Sequence, residues 1–408
     1  MFRGSPEEKR NLIILFCALV IIMLGFGIVI PILPFYVERM GASGADLGLI
    51  MAIFAAMQFI FSPMWGDVSD RIGRRPVIMI GIVGNALAQV LFGLSTQLWM
   101  IYAARALSGI LSAATFPAAM AFISDTTSEE NRGGGMGILG AAMGVGMTLG
   151  PGIGGVMARF GLSAPFFAAA GISLIILVLV YQFLPESLPP ERRVGKAGKL
   201  RTVDLSQLWQ ALFSPIGYLL FLAFLLSFAL TNFEAIFGLY ALRRYGYGTT
   251  QVGVIMTVVG LTTALVQGLL TGPATRRLGE VWVIRTSLLV SAIGFATMLL
   301  AASLPTVLLT TSIFVFGNAL LRPSVSSLIS KRTHLPQGIA MGLNNAFMSL
   351  GRIAGPIAAG ALLDVSLFLP YLTGAVLMFL GLLSTIPGFA NEKRLSTALS
   401  RADAPADS

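Results

Sequence analysis

Long apolar stretches make up most of the chain, and short polar stretches separate them. About 20 consecutive apolar residues are enough for an α-helix to cross the hydrocarbon core of a bilayer. The stretches do not alternate apolar with polar residues, as the strands of a membrane barrel would. The pattern therefore predicts twelve spanning helices, over residues 11–37, 46–65, 76–95, 98–124, 134–158, 164–184, 213–240, 250–271, 281–302, 304–330, 338–362 and 366–389.

The only long polar segment, residues 185–212, lies midway, and the sequences on either side of it repeat each other weakly. The matching positions are Gly66 with Gly272, Arg71 with Arg277, Gly73 with Gly279, Pro117 with Pro323, Gly150 with Gly355, and Pro151 with Pro356. Two repeated bundles joined by a linker are typical of a secondary transporter. The sequence thus predicts an all-α membrane protein with six-helix bundles at 1–184 and 213–390, a cytoplasmic linker at 185–212 and a disordered cytoplasmic tail at 391–408.

The basic residues predict the orientation, since loops on the cytoplasmic side carry an excess of Lys and Arg. With both termini in the cytoplasm, only four of the 27 basic residues lie in outer loops: Arg39, Arg159, Arg243 and Arg244. The net charge of +9 is therefore interpreted as a topology signal, and no nucleic-acid partner is expected. We expect a monomer in a lipid bilayer, in the inner or plasma membrane of a prokaryote.

The composition excludes several kinds of chemistry. The chain is 56% hydrophobic and 11% charged, whereas soluble domains contain about 25% charged residues. Cys17 is the only cysteine and His334 the only histidine, so disulfides and multi-histidine or multi-cysteine metal sites are not expected. The sequence also lacks a phosphate-binding loop of the Walker type. We therefore expect no metal, no cofactor, no use of ATP and no enzymatic activity.

The loop after the second predicted span reads Gly-Asp-Val-Ser-Asp-Arg-Ile-Gly-Arg-Arg from residue 66. Glycines permit close helix approach and tight turns, an aspartate can lie at the positive end of a helix, and Arg74 can pair with Asp125. The loop resembles the signature loop of the major facilitator superfamily, which implies a latch that holds the outward-facing state. The alternative is a basic loop that only sets topology. The latch residues are Gly66, Asp70, Arg71, Gly73, Arg74 and Asp125.

The fifth predicted span contains glycines at four-residue spacing around a Gly-Pro pair, and such glycines let helix backbones approach closely. This pattern is similar to the antiporter motif of the same superfamily, which implies export. The alternative is a tight helix contact without bearing on the direction of transport. The end of the first span and Arg105 in the fourth resemble further motifs of its twelve-helix drug/proton antiporters. The packing and bending residues are Pro31, Pro34, Gly146, Gly150, Pro151, Gly154, Gly155, Gly355 and Pro356.

Charges inside spans require a reason, because each costs about 2.5–3.5 kcal/mol at the bilayer centre on insertion scales. Glu234 is the acid closest to the middle of any predicted span, and Arg105 lies at a similar depth in another span. We expect Glu234 to bind either a proton or a cationic substrate, with Arg105 as its modulator. The alternative is a structural ion pair between Glu234 and an arginine. The roles of Arg322 and Arg352 stay open.

The seventh predicted span carries a polar and aromatic stripe that suits lipophilic cations. The candidate substrate-binding residues there and on the third and eleventh spans are Phe228, Thr231, Asn232, Glu234, Phe237, Asn85, Gln89, Asn344, Asn345 and Phe347. Together with the family resemblance, they predict proton-coupled export of lipophilic, often cationic, small molecules by alternating access, of the multidrug or tetracycline type. Transport of a hydrophilic metabolite, such as a sugar or amino acid, is the nearest alternative. A membrane receptor or enzyme is a remote one.

Overall fold

The structure is a computed structural model that describes residues 6–127, 132–193, 202–333 and 335–402. The described residues are almost entirely helical, and no strand occurs among them. Their α-helices are α1 (Pro6–Arg39), α2 (Gly44–Ile72), α3 (Arg74–Leu94), α4 (Leu98–Ser112), α5 (Thr115–Thr126), α6 (Arg132–Met157), α7 (Ala164–Phe183), α8 (Leu205–Leu212), α9 (Gly217–Tyr245), α10 (Thr249–Leu265), α11 (Thr271–Leu278), α12 (Glu280–Met298), α13 (Leu304–Arg332), α14 (Gln337–Val365) and α15 (Leu369–Ala402).

Twelve helical segments within the described ranges are long and apolar enough to cross a membrane, which confirms the predicted all-α architecture. The fourth segment combines α4 with α5, and the eighth combines α10 with α11. The orientation of the termini stays a prediction. The last helix, α15, continues through residues 391–402, where the sequence predicted a disordered tail.

Two spans contain irregularities that the hydropathy pattern did not predict, and each lies beside a proline. The helix breaks between α4 and α5, where Pro117 cannot donate a hydrogen bond to the carbonyl of Ala113. A π-helical segment, Val266–Leu270, separates α10 from α11, and Pro273 likewise leaves the carbonyl of Leu269 without its helical donor.

The chain divides into two compact units whose boundaries cross α9 and α10. Unit 1 comprises Met1–Val203 with Glu234–Gly260, and unit 2 comprises Asp204–Phe233 with Leu261–Ser408. Each unit therefore contains part of α9. The division into six-helix halves around a linker at 185–212 stays a prediction.

In unit 1, α1 packs along α6 and α7, while α3 packs on α4, α5 and α7. Their core consists of fully buried aliphatic and aromatic side chains, including Leu15, Ile78 and Phe122. In unit 2, α12 packs on α13 and α15, and the ring centroids of Phe295 and Phe314 lie 4.2 Å apart in the contact between α12 and α13. Both cores form because each span packs apolar side chains on one side against its neighbouring helices.

The segment predicted as the linker, residues 185–212, contains the short amphipathic helix α8, which sequence reasoning did not predict. Asp204 caps its N-terminus by accepting a hydrogen bond from the backbone N–H of Ser206 at 2.9 Å. The hydroxyl of Ser206 also donates to this carboxylate and holds the pKa of Asp204 below its usual value. Trp209 is exposed on α8, whereas Leu208 is buried. An apolar side chain exposed beside a span is typical of a helix at the membrane interface.

Candidate transport site and conformational latch

Arg74 is the centre of the predicted latch, and it begins α3 directly after the turn at Gly73. Its guanidinium is almost fully buried and donates from Nη1 to Asp70 at 2.5 Å and from Nε to Asp125 at 3.0 Å. Ser69 accepts a further hydrogen bond at 3.3 Å. One buried cation thus joins the end of α2 to the end of α5 within unit 1. Two carboxylates offset the cost of burying the charge.

Glu186 completes this cluster, and sequence reasoning missed it. Its carboxylate accepts hydrogen bonds from the backbone N–H groups of Arg74 at 2.8 Å and Arg75 at 3.2 Å, at the positive end of α3. A Cβ on Gly73 would collide with this carboxylate, and Gly73 also has a φ of +110°, so both constraints favour glycine. Glu186 also lines a crevice of about 700 Å³ with otherwise mostly apolar walls.

The remaining latch residues contribute differently from the prediction. Asp70 binds Arg74, and the carboxylate found at a helix N-terminus in this cluster is that of Glu186. A Cβ on Gly66 would meet no described atom within 4 Å, so the close helix approach predicted there is absent from the described part of the chain. Arg71 is half-buried. The latch role of the cluster stays a prediction.

The predicted glycine contacts of α6 are present, and they lie against α1. A Cβ on Gly146 would lie 2.6 Å from the carbonyl oxygen of Val20, and one on Gly150 would lie 2.8 Å from the Cα of Gly27. Gly154 approaches α1 one turn further along. No real Cβ is found this close to backbone atoms, so the two helices approach at a distance that side chains would prevent.

The other predicted packing residues also form close helix contacts. Within unit 1, a Cβ on Gly155 would lie 3.0 Å from the Cα of Gly253 in α10, and Pro34 of α1 lies against Gly238 of α9. Pro31, Pro34, Pro151 and Pro356 all lie inside continuous helices. Within unit 2, a Cβ on Gly355 of α14 would lie 2.6 Å from the carbonyl oxygen of Phe228 in α9.

Glu234 lies well inside α9, 17 residues after its start at Gly217 and 11 before its end at Tyr245. Its side chain is half-buried. No described residue forms an ion pair or a hydrogen bond with its carboxylate. In particular, the structural ion pair with Arg105 that the sequence left open is not formed, although both residues belong to unit 1.

Arg105 is only 1% exposed, and aromatic rings surround its charge. Its guanidinium carbon lies 5.4 Å from the ring centroid of Phe54 and 5.5 Å from that of Phe92. Nη2 lies 3.0 Å from the sulfur of Met51, whereas the buried Nε has no hydrogen-bond partner among the described residues. Two cation–π contacts therefore stabilise this charge in place of a carboxylate. Sequence spacing gave no signal for the two phenylalanines.

The amide side chains of α3 are buried inside unit 1 and bind neighbouring helices. Asn85 donates to Ser173 of α7 at 3.1 Å, and Gln89 donates to the carbonyl oxygen of Gly25 in α1 at 2.8 Å. Both are at most 4% exposed. These hydrogen bonds join three helices, so the structure gives Asn85 and Gln89 partners within the protein.

The stripe on α9 is only partly accessible. Thr231 donates to the carbonyl oxygen of Gly351 at 3.3 Å, and Asn232 donates to that of Pro370 at 3.1 Å. Asn232 and Phe237 are buried, whereas Phe228 is half-buried at three-residue spacing before Thr231. Phe228, Thr231 and Glu234 are each partly accessible on α9, and Thr231 neighbours the other two at three-residue spacing.

On α14 the predicted residues divide in the same way. Asn344 is buried and donates to Ser326 of α13 at 3.0 Å, and Phe347 is also buried. Asn345 is exposed. His334 lies outside the described residues. Among the described residues, no group of three or more histidines, cysteines, aspartates or glutamates could hold a metal ion.

The comparisons with known proteins identify the family. The sequence profile of the Major Facilitator Superfamily matches residues 15–266 and 219–405. The chain belongs to the major facilitator superfamily. The motifs in the second loop and the fifth span therefore indicated the correct family, and this major facilitator protein is a multi-pass protein of a cell membrane.

Relatives of this major facilitator protein extend over nearly its whole length. Multidrug resistance protein 2 of Bacillus subtilis is 33% identical over 384 residues, which are 94% of this chain and 96% of the relative. Quinolone resistance protein NorA of Staphylococcus aureus is 28% identical over 89% of this chain and 92% of its own. Among solved structures, the human organic anion transporter MFSD10 is 25% identical, with a TM-score of 0.65 over 93% of this chain and 100% of its own.

Proposed function

We propose that this protein exports lipophilic, often cationic, small molecules in exchange for protons by alternating access. The relatives named for multidrug and quinolone resistance cover about nine-tenths of the chain or more, and they support this class of substrate. The observation that carries the mechanism is the carboxyl group of Glu234, half-buried deep in a spanning helix and without an ion-pair partner among the described residues.

An acid in this position can serve as the coupling group. Removing a carboxylate from water disfavours its charged form. The carboxylate is therefore stabilised either by binding a proton or by pairing with a cationic substrate, and the two exclude each other. Phe228 is also partly accessible on α9 and offers a ring to an organic cation. Proton uptake at Glu234 therefore releases the cargo, and cargo binding releases the proton.

The accessible surface favours a lipophilic cargo over a hydrophilic metabolite. A sugar or amino acid needs several free amide and carboxylate groups, whereas Asn85, Gln89 and Asn232 donate hydrogen bonds to other parts of the protein. Those side chains are buried and unavailable in this conformation. The predicted polar residues that stay accessible are Thr231, Glu234 and Asn345.

The proton gradient supplies enough energy for this export. One elementary charge that moves down 100 mV releases about 2.3 kcal/mol. Because each 1.4 kcal/mol corresponds to a factor of ten, one proton sustains roughly a fifty-fold gradient of a cargo without net charge, before any contribution from a pH difference. A monovalent cation that is exchanged for one proton moves no net charge, so the pH difference alone drives its export.

Transport into proteoliposomes with an imposed pH gradient tests the proposal. The purified protein should take up ethidium and a quinolone when the lumen is acidic, and Glu234→Gln should abolish gradient-driven uptake, since glutamine cannot exchange a proton. Asp204→Asn is the matched control, because it removes an exposed acid from the linker and keeps the helix cap. This control should transport like the native protein.

A second measurement tests the competition directly. Addition of ethidium to lightly buffered protein should release protons from the native chain and not from Glu234→Gln. Gradient-driven uptake that survives in Glu234→Gln would refute the assignment of the coupling group. Uptake that is independent of the pH gradient in the native protein would refute antiport.

A further inference from the structure

Two arginines lie deep inside adjacent spanning helices of unit 2. Arg352 is 15 residues from the start of α14 at Gln337 and 13 from its end at Val365. Arg322 is ten residues before the end of α13 at Arg332, or about 15 Å along the helix axis. Both side chains are exposed. Exposed charges at this depth face a bundle interior or a water-filled cavity, because contact with lipid tails is too costly.

A hydrogen bond between the helices fixes their register. Asn344 of α14 donates to Ser326 of α13 at 3.0 Å, and the short connection between the two helices makes them antiparallel. Arg322 lies four residues before Ser326. In an antiparallel pair it is therefore level with Met348, which lies four residues after Asn344. Arg352 begins one turn beyond that level.

The side chain of Arg352 reaches back toward Arg322. Helical side chains point toward the N-terminus of their helix, and Nη2 of Arg352 donates to the hydroxyl of Ser349 at 2.7 Å. Its guanidinium is thereby brought to the level of Arg322. The register therefore places the two positive charges on neighbouring turns of adjacent helices. An arrangement of two like charges inside a membrane protein is unfavourable unless an anion joins it.

The described residues provide no such anion. Arg322 has no ion pair and no hydrogen bond to any of them, and Arg352 has only the bond to Ser349. Arg105 differs, since two aromatic rings cover its buried charge. Arg322 and Arg352 are accessible, and neither an anionic partner nor an aromatic ring among the described residues stabilises their charges.

Neighbouring polar groups extend the site along α14. Asn345, Ser349 and Arg352 follow each other at four- and three-residue spacing and so share one face. Ser349 accepts from Arg352 and donates to the carbonyl oxygen of Asn345 at 2.9 Å. The exposed amide of Asn345 leaves a further donor beside the guanidinium groups. Planar guanidinium groups match the two oxygens of a carboxylate better than any other common anion-binding side chain.

We propose that Arg322 and Arg352 form a binding site for the carboxylate group of lipophilic organic acids and zwitterions. The site rests on the proposed export function, to which it adds an anionic class of cargo. Its residues do not include Glu234, the proposed cation and proton group. A phosphate group of an anionic lipid has related chemistry, and the experiment distinguishes the two sources.

Fluorescence titration with pyrenebutyric acid and its methyl ester tests the site, with the full-length protein in phosphatidylcholine nanodiscs and empty nanodiscs as the blank. The native protein should bind the acid at least about tenfold more tightly than the ester. Arg322→Gln and Arg352→Gln should each remove most of this preference and leave ethidium binding unchanged. Arg352→Lys should retain part of it, because it keeps the charge without the planar pair of donors. Arg276→Gln, an exposed arginine of unit 2, should behave as native.

Equal affinity of the native protein for acid and ester would overturn the proposal, and that comparison needs no variant to fold. Loss of acid and ester binding to the same extent in both glutamine variants would overturn it as well. Displacement of the acid from native protein by phosphatidylglycerol in the nanodisc would assign the arginines to a lipid phosphate and refute the cargo site. The titration uses no gradient, so carboxylate binding stands or fails separately from the transport result for Glu234→Gln.

Discussion

At the scale of single residues, Glu186 makes two contacts in the predicted latch: it binds the N-terminus of α3 and lies against the turn at Gly73. We expect Glu186→Ala to lower the free energy of unfolding by about 1 kcal/mol, because α3 loses both the acceptor for its first N–H groups and a favourable charge at its positive end. Thermal unfolding of the purified variant in detergent measures this. Transport should weaken too, since Arg74 of the predicted latch directly follows this turn.

The matched control for this prediction is Glu191→Ala. Glu191 lies five residues further along, is exposed, and makes no hydrogen bond or ion pair with a described residue. Its removal should leave the unfolding midpoint unchanged. Equal midpoints for the two variants would show that Glu186 does not stabilise α3.

Residue types inside the spans indicated which charges need an explanation, but not what each one contacts. Glu234 and Arg105 stand out in the sequence because charges are rare in apolar stretches. The enclosure of Arg105 by Phe54 and Phe92 depends on helix rotation and packing, which apolar runs of nearly uniform composition do not encode. Glu186 follows a span in a polar stretch and carried no signal of its partner.

At the scale of helices, the contact between α1 and α6 depends on the absence of side chains at particular turns. We expect Gly150→Ala to destabilise the protein by about 1–3 kcal/mol, because its Cβ would lie 2.7 Å from the carbonyl oxygen of Leu24 and force the backbones apart. The measurement is thermal unfolding, together with transport in proteoliposomes, where we expect a clear loss.

Gly144→Ala on the same helix is the control, because a Cβ there would meet no described atom within 4 Å. This change should leave transport intact and stabilise α6 by up to about 1 kcal/mol through helix propensity. Similar destabilisation by the two alanines would show that the close contact with α1 does not matter.

Helix positions were predictable because apolar length alone identifies a span, whereas their interruptions were not. The break before Thr115 and the π-helical segment at Val266–Leu270 each accompany a proline. Yet Pro31, Pro34 and Pro151 lie in helices that continue without a break. Whether a freed carbonyl disrupts a helix depends on the groups packed around it, and these are known only from the fold.

At the scale of the whole molecule, alternating access requires that contacts closing one side be broken in the other state. In unit 1, Arg243 at the end of α9 binds Glu38 at the end of α1, with 2.9 Å between Nη2 and Oε2. With cysteines at these two positions and Cys17 replaced by serine, a short bifunctional thiol reagent should cross-link α1 to α9. Cross-linking should abolish transport, since this contact must open during the cycle.

Each cysteine alone serves as the control and should transport normally after treatment with the reagent. Mass shift on denaturing gels after cleavage within the linker measures the yield of the cross-link. Full transport by a completely cross-linked protein would exclude opening at this contact.

The fold and family of the whole molecule could be predicted from hydropathy and two motifs, because both follow from insertion in a bilayer and from close backbone contacts. The accessible surface could not. Of the predicted polar residues, Asn85, Gln89, Asn232 and Asn344 all hydrogen-bond within the protein. A polar side chain in a span can bond to a neighbouring helix or bind the cargo, and the sequence alone does not distinguish the two roles.

The paired backbones of α1 and α6 also restrict how the protein can move. Gly146, Gly150 and Gly154 engage α1 at three successive turns, so sliding one helix along the other would drive side chains into the opposite main chain at every step. The two helices must therefore travel together, as a single stiff lever, whenever the transporter changes state. Conformational change during the cycle must therefore occur elsewhere in the chain. A displacement at one end of the α1–α6 pair is transmitted to its other end, because the pair is rigid.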